Sequence, residues 1–147
     1  MKQYRIEPAT EVDADRLADI RVDAMRPSLE AAGRFDPVRA RGRFLDSFSA
    51  ADTKIVFADE AIAGFFVVRR CTDHFYLDHL YVSPVFQGRG IGRHIIANLK
   101  EEAGVAGLPI RLIALNGSPA NAFYLSCGFR FVSRDTLDTV YTWACGD

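Results

Sequence analysis

The sequence has few of the residues that build metal centres or disulfide frameworks. Its 147 residues include three cysteines, Cys71, Cys127 and Cys145, and three histidines. No two cysteines form a C-x-x-C pair, so the spacing does not match the common structural zinc sites. An odd number of scattered cysteines suits a reducing compartment. We therefore expect a cytoplasmic protein without a metal site.

Long apolar runs and an excess of positive charge are also missing. No stretch of about 18 apolar residues occurs, and the first residues lack the apolar run of about 7–15 residues found in signal peptides. Eighteen lysines and arginines stand against 19 aspartates and glutamates, which gives a formal net charge of −1. The strong basic balance of nucleic-acid-binding proteins is absent. We expect neither a membrane nor a nucleic acid as a partner.

The sequence does contain enough apolar residues for one hydrophobic core. Hydrophobic residues make up 49% of the chain and charged residues 25%, which is close to the globular average. A chain of 147 residues has the size of one ordinary domain. We therefore expect residues 1–147 to form a single domain.

The periodicity of apolar residues predicts the order βααβββαβαββ. A capping box at Thr10 and Asp13 predicts the start of a first helix that Pro27 ends, and Asp36 followed by proline predicts a second. Alternating apolar residues predict the strands, including one over Phe75–Val82. This order indicates an α/β (α+β) sandwich, a mixed sheet with helices on its faces.

The most informative segment is residues 87–92, with the sequence Gln-Gly-Arg-Gly-Ile-Gly, between a predicted strand and a predicted helix. Glycines let successive backbone amides turn inward, and a helix N-terminus adds partial positive charge, so a phosphate is the natural ligand. Arg89 and Arg93 can add charged contacts. The alternative is a glycine turn that only permits close packing of the helix.

Spacing separates the phosphate-binding motifs that this segment can represent. A dinucleotide fingerprint counted from Gly88 requires glycine where Arg93 stands, and the Gly-Lys-Ser or Gly-Lys-Thr of a P-loop does not occur. The remaining pattern, Gln-x-x-Gly-x-Gly after Leu-Tyr-Val, resembles the acetyl-CoA pyrophosphate loop of the GCN5-related N-acetyltransferase (GNAT) family. Asn116, the run 121–124 (Asn-Ala-Phe-Tyr) and the pair 128–129 (Gly-Phe) resemble a second signature of that family.

The resemblance implies an enzyme that moves an acetyl group from acetyl-CoA to a primary amine by direct transfer in a ternary complex. It also implies a mostly antiparallel sheet, in which the strand before the glycine loop splays from its neighbour and its backbone pairs with the pantetheine arm. The implied cofactor-binding residues are Leu80, Tyr81, Val82, Gln87, Gly88, Arg89, Gly90, Ile91, Gly92, Arg93, Asn116, Asn121, Phe123 and Tyr124. For Asn116, formation of the Asn-Gly-Ser-Pro turn is an equally good explanation.

Three residues are candidates for proton transfer. Tyr124 matches the family's proton donor to the departing thiolate. Asp78 and His79 are candidates for the general base, with a water chain as the alternative, because the family's usual glutamate is missing here. Strand alternation places Asp78 and His79 on opposite faces, with Asp78 on the face of Leu80 and Tyr76.

The acceptor amine is open at this level, and a small molecule or a peptide fits equally. Phe35, Phe44 and Phe48 suggest a small, partly apolar acceptor. The basic residues Arg34, Arg39, Arg41 and Arg43 suit either an acceptor anion or, better, a solvated helix face. Trp143 and the closing hairpin can serve a homodimer interface, but packing in the core is the better explanation for them. The alternative to an enzyme is a non-catalytic acetyl-CoA sensor with the same fold.

Overall fold

A computed structural model describes residues 4–146. The strands are β1 (Tyr4–Pro8), β2 (Thr53–Ala58), β3 (Ala61–Arg70), β4 (Phe75–Val82), β5 (Ile110–Leu115), β6 (Arg130–Arg134) and β7 (Asp138–Trp143). The helices are α1 (Ala14–Ala31), α2 (Pro37–Ser47), α3 (Ile91–Ala106) and α4 (Ala120–Ser126), with short 3₁₀ turns before α1, β2 and α3. The predicted order βααβββαβαββ is confirmed.

Within residues 4–146 the strands form one seven-stranded sheet in the order β1-β2-β3-β4-β5-β7-β6. Only β4 and β5 are parallel, and every other neighbouring pair is antiparallel. The expectation of a mixed, mostly antiparallel sheet with helices on its faces is therefore confirmed. No helix in the described part of the chain is both long and apolar enough to cross a membrane.

The parallel pair β4 and β5 separates soon after it forms. Only Phe75 and Tyr76 of β4 pair with β5, through Ile110 and Arg111. Beyond that point β5 continues against β7, while β3 is the only strand within residues 4–146 that pairs with β4 up to Val82. The edge of β4 that faces β5 is therefore left open, and a cleft runs between the two strands.

Both faces of the sheet are covered. On the side of α1 and α2, Leu17 and Phe44 pack against Phe65 of β3. On the side of α3 and α4, Leu99 and Tyr124 belong to one cluster with strand residues of β4, β5 and β7. These two sides are called below the α1/α2 side and the α3/α4 side.

The first helix does not end at Pro27, as the sequence predicts, but continues to Ala31. A proline removes one backbone N–H and so deletes a single hydrogen bond of the helix. The backbone amides of Ala32 and Gly33 still donate to Ser28 and Glu30 at the end of α1. The helix is also held laterally, because Arg41 of α2 forms ion pairs with two aspartates of α1.

Candidate active site

The glycine loop begins directly where the open edge of β4 ends. Gly88 and Gly90 have φ angles of +79° and +81°, in the left-handed region that favours glycine. Their amides and that of Arg89 make no backbone hydrogen bond within residues 4–146, and the first amides of α3 have no intrahelical acceptor. A row of donors is therefore available at the N-terminus of a 16-residue helix, which suits an anion.

The side chains of the loop mostly hold the loop in place. Gln87 donates from Nε2 to the carbonyl oxygen of Val82 at 2.9 Å, which ties the loop to the last residue of β4. The guanidinium of Arg89 lies over the Phe86 ring at 5.4 Å. Arg93 donates to the hydroxyl of Ser126 in α4 at 2.7 Å. The groups of the loop that are left available to a ligand are therefore main-chain amides more than these arginines.

Gly92 has a different role from the other two glycines. An added Cβ atom would lie 3.1 Å from Cζ of Phe123, closer than ordinary contacts allow. Ile91, the first residue of α3, is buried beside it. Gly92 therefore permits α3 to pack closely against Phe123 of α4, which is the packing alternative considered for this loop.

The open edge of β4 presents backbone groups while its side chains pack into the two cores. Leu80 and Val82 lie on the α3/α4 side, and the Tyr81 ring stacks at 5.8 Å from Phe65 on the α1/α2 side. Gly64 of β3 makes the local geometry possible, because a Cβ there would lie 2.2 Å from the carbonyl oxygen of Tyr81. The backbone of β4 beyond Tyr76 is thus free to pair with an extended ligand, as the resemblance implies.

The two asparagines implied as cofactor ligands use their amides within the protein. Asn116 donates to the carbonyl oxygen of Asp135 at 2.9 Å and accepts from Thr139 at 2.6 Å. Asn121 donates to the carbonyl oxygen of Leu115 at 2.9 Å and accepts from the Tyr141 hydroxyl. These bonds join α4 and the β6–β7 hairpin to the end of β5. Cofactor contact by either asparagine stays a prediction.

Tyr124 of α4 lies beside the cleft with its hydroxyl unpaired. Its ring packs edge to face against Phe123 and Phe129, and the residue is 7% exposed. The hydroxyl makes no hydrogen bond to any described residue, so it is available to a ligand. Burial raises the pKa of Tyr124 well above its usual value, against an opposing effect of Arg21. The phenol therefore carries its proton at neutral pH.

Asp78 lies in a β-bulge, and this corrects the prediction that it faces away from His79. Val67 pairs with His79 and Val68 with Leu77, so Asp78 is the extra residue of β4. Such a bulge interrupts the alternation of side chains. Leu77 and Leu80 both pack on the α3/α4 side, whereas Asp78 and His79 lie together, with His79 Nε2 3.8 Å from Asp78 Oδ1.

An arginine on each side holds this pair of residues. Arg69 donates to Asp78 Oδ2 from Nε and Nη2, at 3.2 and 3.0 Å, and also reaches Asp52 at 3.2 Å. Arg21 of α1 donates from Nε to His79 Nδ1 at 2.7 Å. Burial, followed by the positive charge of Arg21, lowers the pKa of His79 to about 4. His79 is therefore neutral at pH 7, and its accepting nitrogen, Nδ1, is already bonded to Arg21.

The arrangement of an open strand, a glycine loop at a helix N-terminus and a tyrosine beside the cleft agrees with a family match. The family model of the acetyltransferase (GNAT) domain matches residues 50–131, which include β2 to α4 and most of the site. The chain belongs to the GNAT acetyltransferase family. No curated protein sequence matches this GNAT chain.

Solved structures share the fold of this GNAT protein over almost its whole length. The PaiA N-acetyltransferase of Thermoplasma acidophilum, solved with coenzyme A, is 17% identical with a TM-score of 0.77, covering 96% of this chain and 98% of that chain. An acetyltransferase of Thermus thermophilus is 20% identical with a TM-score of 0.74, covering 97% of both chains. The ribosomal-protein-S18-alanine N-acetyltransferase of Escherichia coli is 18% identical with a TM-score of 0.71, covering 96% and 93%. At these identities the likeness shows the fold alone.

Three residues of this GNAT site were missed by the sequence analysis. Gly64 is not part of any recognised motif, and nothing in the sequence distinguishes Arg69 from the neighbouring Arg70. Arg21 does carry a signal, because it follows the buried Leu17 by four residues and so lies on the inward face of α1. The sheet-facing position of a charged residue was the clue to its role.

Proposed function

We propose that this protein is an acetyl-CoA-dependent N-acetyltransferase that transfers the acetyl group directly to a primary amine within a ternary complex. The observation that carries the proposal is the open edge of β4, which leads into a row of unpaired amides and lies beside the unpaired Tyr124 hydroxyl. Acetyl-CoA supplies an activated acyl group on a thiol leaving group. The protein has to hold this molecule, orient it and handle two protons.

Main-chain groups fit two parts of the cofactor, the pantetheine arm and the pyrophosphate. The open edge of β4 at Leu80, Tyr81 and Val82 suits the amides of the pantetheine arm, because an extended chain can add to a sheet edge. The amides of Gly88 to Gly90, with the N-terminus of α3, suit the pyrophosphate. An amide of the β4 edge can also donate to the carbonyl oxygen of the acetyl group, where such a donor contributes about 3–4 kcal/mol in other enzymes.

Asp78 is the better candidate for the general base. Arg69 occupies Oδ2, whereas Oδ1 accepts no hydrogen bond within residues 4–146 and is free to take a proton, directly or through a water molecule. His79 is less suitable, because its Nδ1 accepts from Arg21 and its Nε2 carries the remaining ring proton. We assign His79 the role of a positioning residue for Asp78.

Tyr124 is the candidate proton donor for the departing thiolate. Its raised pKa keeps the phenol protonated until the thiolate forms close to it, and a proton shared at short range needs no large difference in acidity. Loss of a general acid of this kind typically lowers the rate by a factor of about 10²–10⁴.

The engagement of both base candidates by arginines also fits a protein that binds acetyl-CoA without turning it over. In that function the cleft and the glycine loop bind the cofactor, and Tyr124 is a packing residue. Cytoplasmic location and a homodimer stay predictions under either function.

Calorimetric titration with acetyl-CoA, CoA, NAD and ATP tests the cofactor assignment. We expect binding of acetyl-CoA and CoA only, and binding of NAD or ATP instead would contradict it. Release of free thiol with a panel of primary amines then tests catalysis.

Replacement of Tyr124 by phenylalanine distinguishes the enzyme from the sensor. We expect kcat to fall by about 100-fold while the Kd for acetyl-CoA is unchanged, because the hydroxyl acts on the leaving group. Tyr141→Phe is the matched control, since the Tyr141 hydroxyl donates to Asn121 and is not free to donate to a leaving group. It should lower stability and leave kcat unchanged. An equal kcat for Tyr124→Phe and wild type would remove Tyr124 from the mechanism.

A further inference from the structure

Arg21 reaches the cleft from a helix outside the segment that carries the family motifs. It lies on α1, four residues after Leu17 and three after Ala18, and both of these are fully buried. Its side chain therefore points toward the sheet. The Nε–H donates to Nδ1 of His79 at 2.7 Å. This bond fixes the plane of the guanidinium against β4, next to the bulge at Asp78.

The rest of the Arg21 guanidinium has no hydrogen-bond partner among residues 4–146. Neither Nη1 nor Nη2 hydrogen-bonds to a residue within 4–146. In the same range, every side-chain nitrogen or oxygen that is closed off from solvent has a hydrogen-bond partner. Both Nη groups of this half-buried residue are therefore in contact with solvent. Each Nη group can therefore donate a hydrogen bond to a ligand.

Arg21 differs in this respect from two other arginines on the α1/α2 side. Arg69 bonds two aspartates, and Arg41 also bonds two. Arg21 bonds a neutral imidazole instead. Burial, the largest effect, lowers the pKa of Arg21 to about 10 against the opposing influence of Asp78 and Tyr124, so the group stays charged at neutral pH. A partly desolvated cation with free donors favours an anion as ligand.

The position of this cation relative to the proton-transfer residues limits the ligand. Arg21 is connected to Asp78 through His79, by the 2.7 Å hydrogen bond to Nδ1 and the 3.8 Å distance from Nε2 to Asp78 Oδ1. Tyr124, which packs on the α3/α4 side, also influences the pKa of Arg21. Groups from opposite sides can approach because β4 and β5 separate at this level. The acceptor amine has to lie between the proposed base Asp78 and the proposed acid Tyr124, and Arg21 borders that space.

We propose that the acceptor carries a carboxylate close to its amine, as a free α-amino acid does, and that Arg21 binds this carboxylate. The inference rests on the proposed N-acetyltransferase function. A planar guanidinium with its Nε already held offers both Nη groups to one carboxylate, which is the geometry that arginine recognises best. The N-terminal amine of a peptide has no carboxylate on the neighbouring carbon. A peptide N-terminus is therefore the competing acceptor, and the carboxamides represent it in the test.

The test compares amino acids with their carboxamides, which differ only in the charged group. The kcat/KM values for L-leucine and L-phenylalanine are measured against those for L-leucinamide and L-phenylalaninamide. Each value is corrected for the fraction of neutral amine at the assay pH. We expect the acids to be preferred by about 10- to 100-fold, the range for a hydrogen-bonded charged pair. A ratio near one, or a preference for the amides, would overturn the proposal while leaving the transferase function intact.

Arg21→Gln should abolish this preference, because kcat/KM for the acids should fall about 10- to 100-fold further than kcat/KM for the amides. The matched control is Arg26→Gln, because Arg26 lies on the same helix in an exposed pair with Glu30; it should keep the wild-type ratio. If Arg21 only positioned His79, Arg21→Gln would lower the values for acids and amides equally, and this result would overturn the proposal. Should Arg21→Gln not fold, Arg21→Lys and the wild-type ratio give the answer.

A binding measurement separates failure of this inference from failure of the proposed function. If acetyl-CoA binds but no amine is acetylated, the transferase function fails. Calorimetry on the CoA-loaded protein then compares N-acetyl-L-leucine with N-acetyl-L-leucinamide. Tighter binding of the acid to wild type, lost in Arg21→Gln, would support the carboxylate site. Equal or absent binding of both would overturn it.

Discussion

The cleft has a proposed cofactor side and a proposed acceptor side, called below the cofactor side and the acceptor side. On the cofactor side the groups open to a ligand belong to the main chain, whereas on the acceptor side they belong to side chains. The cofactor side consists of the β4 edge and the amides around Gly90. The acceptor side consists of four side chains connected in the order Arg21, His79, Asp78 and Arg69. Hydrogen bonds join the outer pairs, and His79 Nε2 lies 3.8 Å from Asp78 Oδ1 in the centre. The two regions should therefore respond to different substitutions. The cofactor side should be sensitive to backbone conformation, and the acceptor side to the identity and charge of side chains.

The largest effect is expected from Gly64→Ala, which acts on the backbone of the cofactor side. The new Cβ would lie 2.2 Å from the Tyr81 carbonyl oxygen, so β3 and β4 have to move apart. We expect a loss of about 3 kcal/mol in the free energy of unfolding, as in overpacked cores, and weaker binding of acetyl-CoA. Urea unfolding and calorimetry measure the two effects.

Gly42→Ala is the matched control for this change. Gly42 lies within α2, and no described residue beyond its chain neighbours and the nearby backbone of α2 comes within 4 Å of an added Cβ. Alanine should therefore be neutral or stabilising by about 0.5–1 kcal/mol. If Gly64→Ala were as stable as wild type, the close approach of the two strands would not constrain the cofactor side.

The next effect concerns the acceptor side and its dependence on pH. The pKa of His79 is about 4 in the folded protein, below the usual value of about 6.5 in an unfolded chain. The unfolded chain therefore binds more protons between these values, and wild type loses stability as the pH falls. Between pH 7 and pH 5 His79 alone contributes about 2 kcal/mol to this loss in the free energy of unfolding.

His79→Gln should be less sensitive to the same change of pH, because glutamine does not titrate. Urea unfolding of both proteins at pH 7 and pH 5 measures the difference between their losses. Glutamine can still accept a hydrogen bond from Arg21, so the fold should persist. Parallel losses in the two proteins would show that His79 does not titrate as a buried neutral imidazole.

The smallest expected effect comes from the glycine loop, where a change to the main chain is compared with a change to a side chain. Gly90 has a φ of +81° and open space around it, so valine is disfavoured by conformation alone, by about 1–2 kcal/mol. We expect Gly90→Val to weaken acetyl-CoA binding by about tenfold and to leave the rest of the fold in place.

Arg89→Ala is the comparison variant for the loop, since it removes a side chain and keeps the backbone. The Arg89 guanidinium lies over Phe86 at the surface, and an exposed charged contact contributes about 0.2–1 kcal/mol. Calorimetry should therefore show a smaller loss of affinity than for Gly90→Val. The opposite ranking would mean that side-chain charge dominates on the cofactor side.

The parts of the fold that were predicted from sequence depend on interactions between near neighbours. The strand over Phe75–Val82 and the N-cap at Asp36, whose carboxylate accepts from the Arg39 amide at 3.1 Å, both agree with the structure. The glycine loop was predicted for the same reason, because consecutive residues determine its conformation. The error at Pro27 was also local, since one missing hydrogen bond did not outweigh the contacts of α1 with its neighbours.

The geometry of the acceptor side could not be predicted in the same way. The bulge at Asp78 arises from the pairing of β4 with β3. The extra residue places Asp78 beside His79 and away from Leu80, which is the opposite of what strand alternation predicts. Arg21 and His79 are 58 positions apart, and their hydrogen bond depends on how α1 packs on the sheet.

The amino-acid sequence was sufficient for the order of elements, the position of the glycine loop and the family, since each depends on short segments whose periodicity or glycine content allows few conformations. The tertiary structure decided which side chains meet across the cleft. That outcome depends on strand register and helix packing, where a shift of one residue changes every contact, and no local pattern specifies it.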